Sequence, residues 1–127
     1  MTILETKTMT GTCHCGGIEF TIPFDGDFVN AQRCDCSLCR RRWAVMASVK
    51  LADLNITRGK DLLTLYQWNT GEAKHYFCKI CGVYTFHKRR ADPTAYGVNI
   101  ACFDVVDIHA FKDTNITDGV NHPSDRT

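Results

Sequence analysis

The chain has 127 residues, of which 44% are apolar and 23% charged, with a formal net charge of +1. These values suit one folded domain and argue against disorder and against a general pull toward nucleic acid or an acidic membrane surface. No apolar run approaches a membrane span, and Met1 to Thr10 holds no apolar stretch of the secretory kind, so the chain is expected in the cytoplasm with its thiols reduced.

Along the chain the apolar residues recur mostly with period 2, which predicts strands. Gly17 to Ile22 alternates, with Ile18, Phe20 and Ile22 on one face, and Pro23 and Gly26 mark a turn. Phe28 to Arg33 leads into a cysteine cluster, and Ser37 to Arg42 is the one segment that reads as a short helical turn. Trp43 to Val49 is the next strand candidate, and Asn55 to Lys60 contains a turn at Gly59. Leu62 to Trp68 and Ala73 to Phe77 read as a hairpin about a turn at Asn69 to Gly71. Tyr84 to Lys88 and Tyr96 to Phe103 are further strands, separated by a loop through Asp92 and Pro93. Val105 to Lys112 is a short strand or helical turn. The expectation is a mainly β, antiparallel domain over residues 1–127, with its core at about 12–112 and a loosely ordered C-terminal tail.

Seven of the eight cysteines fall in three clusters: Cys13 and Cys15 as C-x-C, Cys34, Cys36 and Cys39 as C-x-C-x-x-C, and Cys78 and Cys81 as C-x-x-C before Gly82. With reduced thiols, such spacing reads as metal ligation rather than disulfide bonding. Zinc–thiolate bonds of ~2.3 Å place sulfurs about 3.8 Å apart in a tetrahedron. A C-x-C in a strand presents two thiolates on one face at that separation, and a C-x-x-C-G knuckle does so around a turn. One of each closes a four-cysteine structural site, whereas three ligands from the middle cluster leave a position open, the general form of a catalytic zinc site. A metal is the expected occupant of that cluster too, and an empty or partly filled, partly oxidised cluster is the plain alternative, because an open three-thiolate site is easily stripped or oxidised. Arg40, Arg41 and Arg42 follow the middle cluster, where their charge lowers thiol pKa values and suits a substrate carboxylate; the plain reading is a solvated charge run.

The runs G-T-C-H-C-G-G-I-E-F, R-C-D-C-S-L-C-R-R and Y-F-C-K-I-C-G-V-Y-T-F resemble the glutathione-dependent formaldehyde-activating enzyme family, which includes centromere protein V. The stretches L-T-L-Y-Q-W-N-T-G-E-A-K-H-Y-F-C-K-I-C-G and Y-G-V-N-I-A-C-F-D are especially similar to the centromere protein V branch. The resemblance spans roughly Thr12 to Asp104. It implies a β-tent fold, a structural zinc on Cys13, Cys15, Cys78 and Cys81, and a second, catalytic zinc on Cys34, Cys36 and Cys39. It also implies carbon–sulfur lyase chemistry that joins glutathione to formaldehyde as S-(hydroxymethyl)glutathione, with a small thiol as partner; it is the balanced charge and the lack of a membrane span that argue against membrane and nucleic-acid partners. The alternative that the centromere branch implies is a non-catalytic zinc module for protein or nucleic-acid interaction.

The remaining candidates have plainer readings. Cys102 is expected as a small core residue, with a fourth ligand to the middle cluster as the sharper possibility. His14 and His75 read as surface and strand-face residues, and His87 as a strand residue or an acid–base group near neutral pH. Lys88, Arg89 and Arg90 form a second basic run expected in a loop. Trp43, Tyr66, Trp68 and Tyr84 are expected to fill the core or line a groove beside it. Asp35 is expected to be exposed, and Ser37 to donate to a thiolate.

Overall fold

Ile18, Phe20 and Ile22 are each at most 2% exposed, as their alternation requires. In the computed structural model, which describes residues 7–68, 71–89 and 94–121, the segment β2 (Glu19–Pro23) lies between β1 (Thr8–Thr12) and β5 (Asn55–Arg58) in an antiparallel three-stranded sheet. The second sheet has five antiparallel strands in the order β4 (Met46–Lys50), β9 (Ala95–Asn99), β8 (Tyr84–Lys88), β7 (Lys74–Cys78), β6 (Leu63–Tyr66). A two-residue parallel pair, β3 (Arg33–Cys34) with β10 (Ile116–Thr117), completes the sheets. The fold is therefore mainly β and antiparallel, as the period-2 pattern predicts, and its one α-helix among the described residues is the single turn α1 (Cys39–Arg42).

The two larger sheets meet across an aromatic core. Phe20 packs edge-on against Phe86 at 5.5 Å and Phe103 at 5.4 Å, and all three rings are buried. Burial contributes roughly 1.5–3 kcal/mol for each such ring, with edge-to-face contact adding to it.

One irregularity positions the site. On the β7–β8 pair, Tyr76 faces Phe86 and Phe77 faces Tyr84, so Thr85 is an extra residue on β8. Its hydroxyl donates to the Tyr76 carbonyl at 3.0 Å. Strict alternation puts residues 84 and 87 on opposite faces, but this bulge turns both to the face away from Phe86.

Several boundaries depart from the sequence pattern. Strand β1 was not anticipated; its polar residues give no apolar alternation, and the pairing with β2 makes it a strand. Cys13 to Gly16 form the hairpin turn after β1 rather than part of a strand, closed by Gly16 N–H to the Cys13 carbonyl at 3.1 Å. Strand β9 ends at Asn99, where the Asn99 side chain accepts from Ala101 N–H and starts a 3₁₀ turn. Residues 108–111 form the helical-turn alternative. Part of the segment expected as a loose tail is tied down: β10 pairs with β3, and Asp35 Oδ1 accepts from Gly119 N–H at 2.8 Å and Val120 N–H at 3.3 Å. Asp35 is accordingly half-buried rather than exposed. The expected turn at Asn69 to Gly71 lies partly, and Arg90, the Asp92–Pro93 loop, residues 1–6 and residues 122–127 lie wholly, outside the described residues. No helix among those described is long and apolar enough to cross a membrane.

Candidate metal centres and active site

The N–H groups of two turns converge on the first group of sulfurs. The β1–β2 turn carries Cys13 and Cys15, and the turn that ends β7 carries Cys78 and Cys81. Cys13 Sγ accepts from Ile18 N–H at 3.3 Å, Cys15 Sγ from Gly17 N–H at 3.4 Å, and Cys78 Sγ from Ile80 N–H at 3.4 Å. Gly82 closes the second turn at φ 76°, a left-handed conformation that suits glycine, with its N–H on the Cys78 carbonyl at 2.8 Å. Cys15 Sγ lies 3.6 Å from Cys13 Sγ and 3.7 Å from Cys78 Sγ, and all four sulfurs lie within 4.8 Å of one another. That spacing is the edge of a thiolate tetrahedron. The N–H donors suit sulfurs that carry negative charge. Cys13, Cys15, Cys78 and Cys81 thus form a complete four-ligand set that could hold a metal ion.

The middle cluster is a second such group. Cys34 ends β3, Cys39 opens α1, and Cys36 lies between them, with Sγ accepting from Cys39 N–H at 3.3 Å. Their sulfurs also lie within 4.8 Å of one another, and no fourth His, Cys, Asp or Glu among the described residues joins the group. Hydrogen bonds from Cys36 and Cys39 hold Cys34 well below the usual thiol range. The same sharing with Cys34 pushes Cys36 and Cys39 up. Three sulfurs this close cannot all ionise without a cation between them, so the donor set fits a thiophilic metal. No disulfide links any of the eight cysteines. Cys102 stays outside both groups; it is buried and donates to the Tyr84 carbonyl at 3.5 Å, the core role expected of it.

The two groups differ in what surrounds them. The three-cysteine group lines a cavity of ≈ 290 Å³. Arg33, Arg42 and Arg89 line the same cavity, as do Trp68, His75, Tyr84 and His87, and the segment Thr117–Gly119 forms part of its wall. A Cβ on Gly119 would sit 2.5 Å from Cys34 Sγ, so the chain passes directly over that sulfur. Of the three arginines singled out by sequence, only Arg42 reaches the cavity. Arg40 and Arg41 are exposed on the helical turn, where Arg41 Nη1 donates to the Ser37 carbonyl at 2.6 Å. Arg42 lies over the Tyr84 ring at 4.0 Å, and its Nη1 is buried with no hydrogen-bond partner among the described residues. Arg33 is held by the Trp43 carbonyl at 3.0 Å and sits over the Trp43 ring at 5.1 Å. Of the four aromatics, Trp68 and Tyr84 reach the cavity, while Trp43 and Tyr66 are exposed at 44% each.

Two residues that the sequence placed on plain strands also belong to this wall. Tyr84 Oη lies 2.6 Å from His87 Nδ1 and 3.4 Å from His75 Nδ1, and the two imidazoles stack at 5.2 Å. Burial pushes the Tyr84 phenol well above its usual range, with the charge of Cys39 adding to this and Arg42 opposing it. Burial, then His75 and the guanidiniums of Arg89 and Arg42, lowers His87 to about 3. His87 is therefore neutral near pH 7, not poised to titrate there. The bulge at Thr85 brings this set together, and no sequence pattern marks it.

A family model described as "Glutathione-dependent formaldehyde-activating enzyme" matches residues 8–116. The chain belongs to this family. A crystal structure of a Rhodobacter sphaeroides protein is similar, with 48% identity and a TM-score of 0.81, covering 86% of this chain and 100% of that one. The formaldehyde-activating family is named as an enzyme family with glutathione in its name, which places the present chain with a glutathione-related, formaldehyde-activating function.

Proposed function

We propose that this chain is a zinc-dependent carbon–sulfur lyase resembling S-(hydroxymethyl)glutathione synthase. Its substrate class is the adduct of a glutathione-like thiol with an aldehyde. The observation that carries this reading is the unequal division of the cysteines: four form a complete set, and three form an incomplete one inside a cavity. Tetrahedral thiolate sets favour zinc over harder cations. In this reading Cys13, Cys15, Cys78 and Cys81 hold a structural zinc, and Cys34, Cys36 and Cys39 hold the second. The chemistry a zinc supplies there is an open position for a thiolate or an aldehyde oxygen.

The rest of the site binds and orients the substrate. Arg42, with its buried and unmatched Nη1, is the first candidate for a substrate carboxylate, and Arg89 faces the same cavity. This narrows the arginine run of the sequence to one member and adds a residue from the second basic run. Trp68 offers an apolar wall for the thiol's methylene groups, and the Thr117–Gly119 segment limits the approach of water to Cys34. A cytoplasmic site for the reaction agrees with reduced cysteines.

The test is metal analysis with glutathione calorimetry and turnover of the glutathione–formaldehyde adduct on the full chain. Two zincs per chain, binding and turnover are expected. Two zincs with neither binding nor turnover would defeat the proposal and leave the non-catalytic zinc module.

A further inference from the structure

We propose that the Tyr84 hydroxyl is the proton donor to the substrate oxygen in the cavity, and that His87 is the residue that positions it. The proposal rests on the thiol–aldehyde reading above. The geometry is built rather than incidental. His75 and His87 are register partners on β7 and β8, so their imidazoles are set side by side by backbone pairing. The bulge at Thr85 brings Tyr84 to the same face, within 2.6 Å of His87 Nδ1. On the other side, residue 97 of β9 pairs with His87 and is glycine; a Cβ there would lie 2.4 Å from His87 Cε1. The imidazole thus occupies the space that any other residue at position 97 would fill. All three side chains line the cavity that holds Cys34, Cys36 and Cys39.

The protonation states agree with a donor. The groups facing the pair are His75 from β7, Arg42 from α1, Arg89 just past β8, and the thiols of Cys34 and Cys39. Burial dominates both: with the charge of Cys39 it keeps the phenol protonated against the pull of Arg42 and Arg89, and with His75 and the two guanidiniums it keeps the imidazole neutral against the opposing charge of Cys34. A neutral His87 carrying its proton on Nδ1 donates to the phenolic oxygen at 2.6 Å and leaves the Tyr84 O–H to the cavity, with His75 Nδ1, at the longer distance of 3.4 Å, as the competing acceptor. In the forming direction the sulfur–carbon bond forms and the carbonyl π bond breaks. The oxygen takes the Tyr84 proton, and the proton released by the substrate thiol returns to Tyr84 through solvent. Cleavage is the reverse, and no further reactant is required. Oriented donors of this kind act on charge that develops only in the transition state.

The test uses the metal-loaded full chain, with exchange of the glutathione–formaldehyde adduct followed by NMR and glutathione binding followed by calorimetry. Tyr84→Phe is expected to lower exchange by about 100-fold while metal content stays the same and glutathione affinity stays within about threefold. His87→Ala is expected to lose about tenfold, with part of the loss recovered in His87→Gln, whose amide can still donate to the phenol. Exchange in Tyr84→Phe within about threefold of the parent, set against an active parent, overturns the donor role and leaves the lyase reading intact. A parent that neither binds nor exchanges the adduct overturns both. Imidazole nitrogen spectra of the unsubstituted protein supply a readout independent of turnover and of variant folding. A neutral Nδ1–H tautomer of His87 from pH 5 to 8 is expected, and an Nε2–H tautomer or a midpoint near 6.5 overturns the arrangement.

Discussion

The four-cysteine and three-cysteine groups use the same ligand and nearly the same turn chemistry, yet their settings are opposite. The first joins the β1–β2 turn to the end of β7, elements 63 residues apart at the Cys15–Cys78 contact, and two of its members, Cys13 and Cys78, are at most 2% exposed. It lies outside the cavity. The second is drawn from six consecutive residues and lines the cavity beside three guanidiniums and a tyrosine–histidine set. A metal in the first closes a long loop and joins two sheets; a metal in the second closes almost nothing. Ligand number alone therefore does not separate a structural centre from a reactive one. What separates them is the chain length each one spans and what faces the remaining position.

The largest expected effect comes from the joining group. Cys78→Ser should remove the metal that ties β7 to the β1–β2 turn, and with it most of a stability that is of order 5–15 kcal/mol for a domain. Loss of the cooperative thermal transition by circular dichroism is the expected outcome; a melting curve like the parent's would refute the structural assignment. Cys36→Ser should instead lose one of two metals and keep the fold, while adduct turnover falls at least about 100-fold. Metal analysis beside circular dichroism checks this, and collapse of the fold would erase the distinction between the groups. Arg42→Ala should weaken glutathione binding by about 10- to 100-fold, equivalent to the ~1.5–3 kcal/mol of a charged hydrogen bond. Arg40→Ala, on the exposed side of the same turn, should leave calorimetric affinity unchanged. The smallest effect is on acid stability. His87 has a folded-state pKa of about 3 against an ordinary value near 6.5, so the unfolded chain binds the extra proton between these values. That contribution is complete above about pH 6.5 and is lost as pH falls toward 3; by pH 5.5 about 1.4 kcal/mol of it has gone. His87→Gln should therefore lose less stability than the parent between pH 7.5 and 5.5 in denaturant titrations, and equal losses would count against a neutral His87.

The residues whose roles were readable are those whose partners are close in sequence. Cys34, Cys36 and Cys39 meet because six residues of backbone cannot keep them apart, and Tyr84 to Lys88 alternates as a strand and is one. The arginine run was readable as charge but not as a site, because a single helical turn points three successive side chains in three directions, and only Arg42 faces inward. The sequence offers His87 as a strand residue or an acid–base group, and neither reading joins it to Tyr84, because regular alternation puts the two on opposite faces. The bulge that reverses this is an extra residue in one strand relative to its neighbour, a property of the pair and not of either segment. The segment at Asn115 to Val120 looked like a tail because its composition is polar, whereas its backbone groups find partners on β3 and on Asp35.

Cysteine spacing and apolar alternation are local properties, so the amino-acid sequence alone determined the mainly β class, the three thiolate clusters and the excess of ligands over one closed site. Tertiary structure decided which clusters close on each other, which arginine enters the cavity, and that Tyr84 and His87 meet there. Each of those depends on strand register, and register is settled between segments far apart in the chain, where burial of Phe20, Phe86 and Phe103 outweighs any local preference.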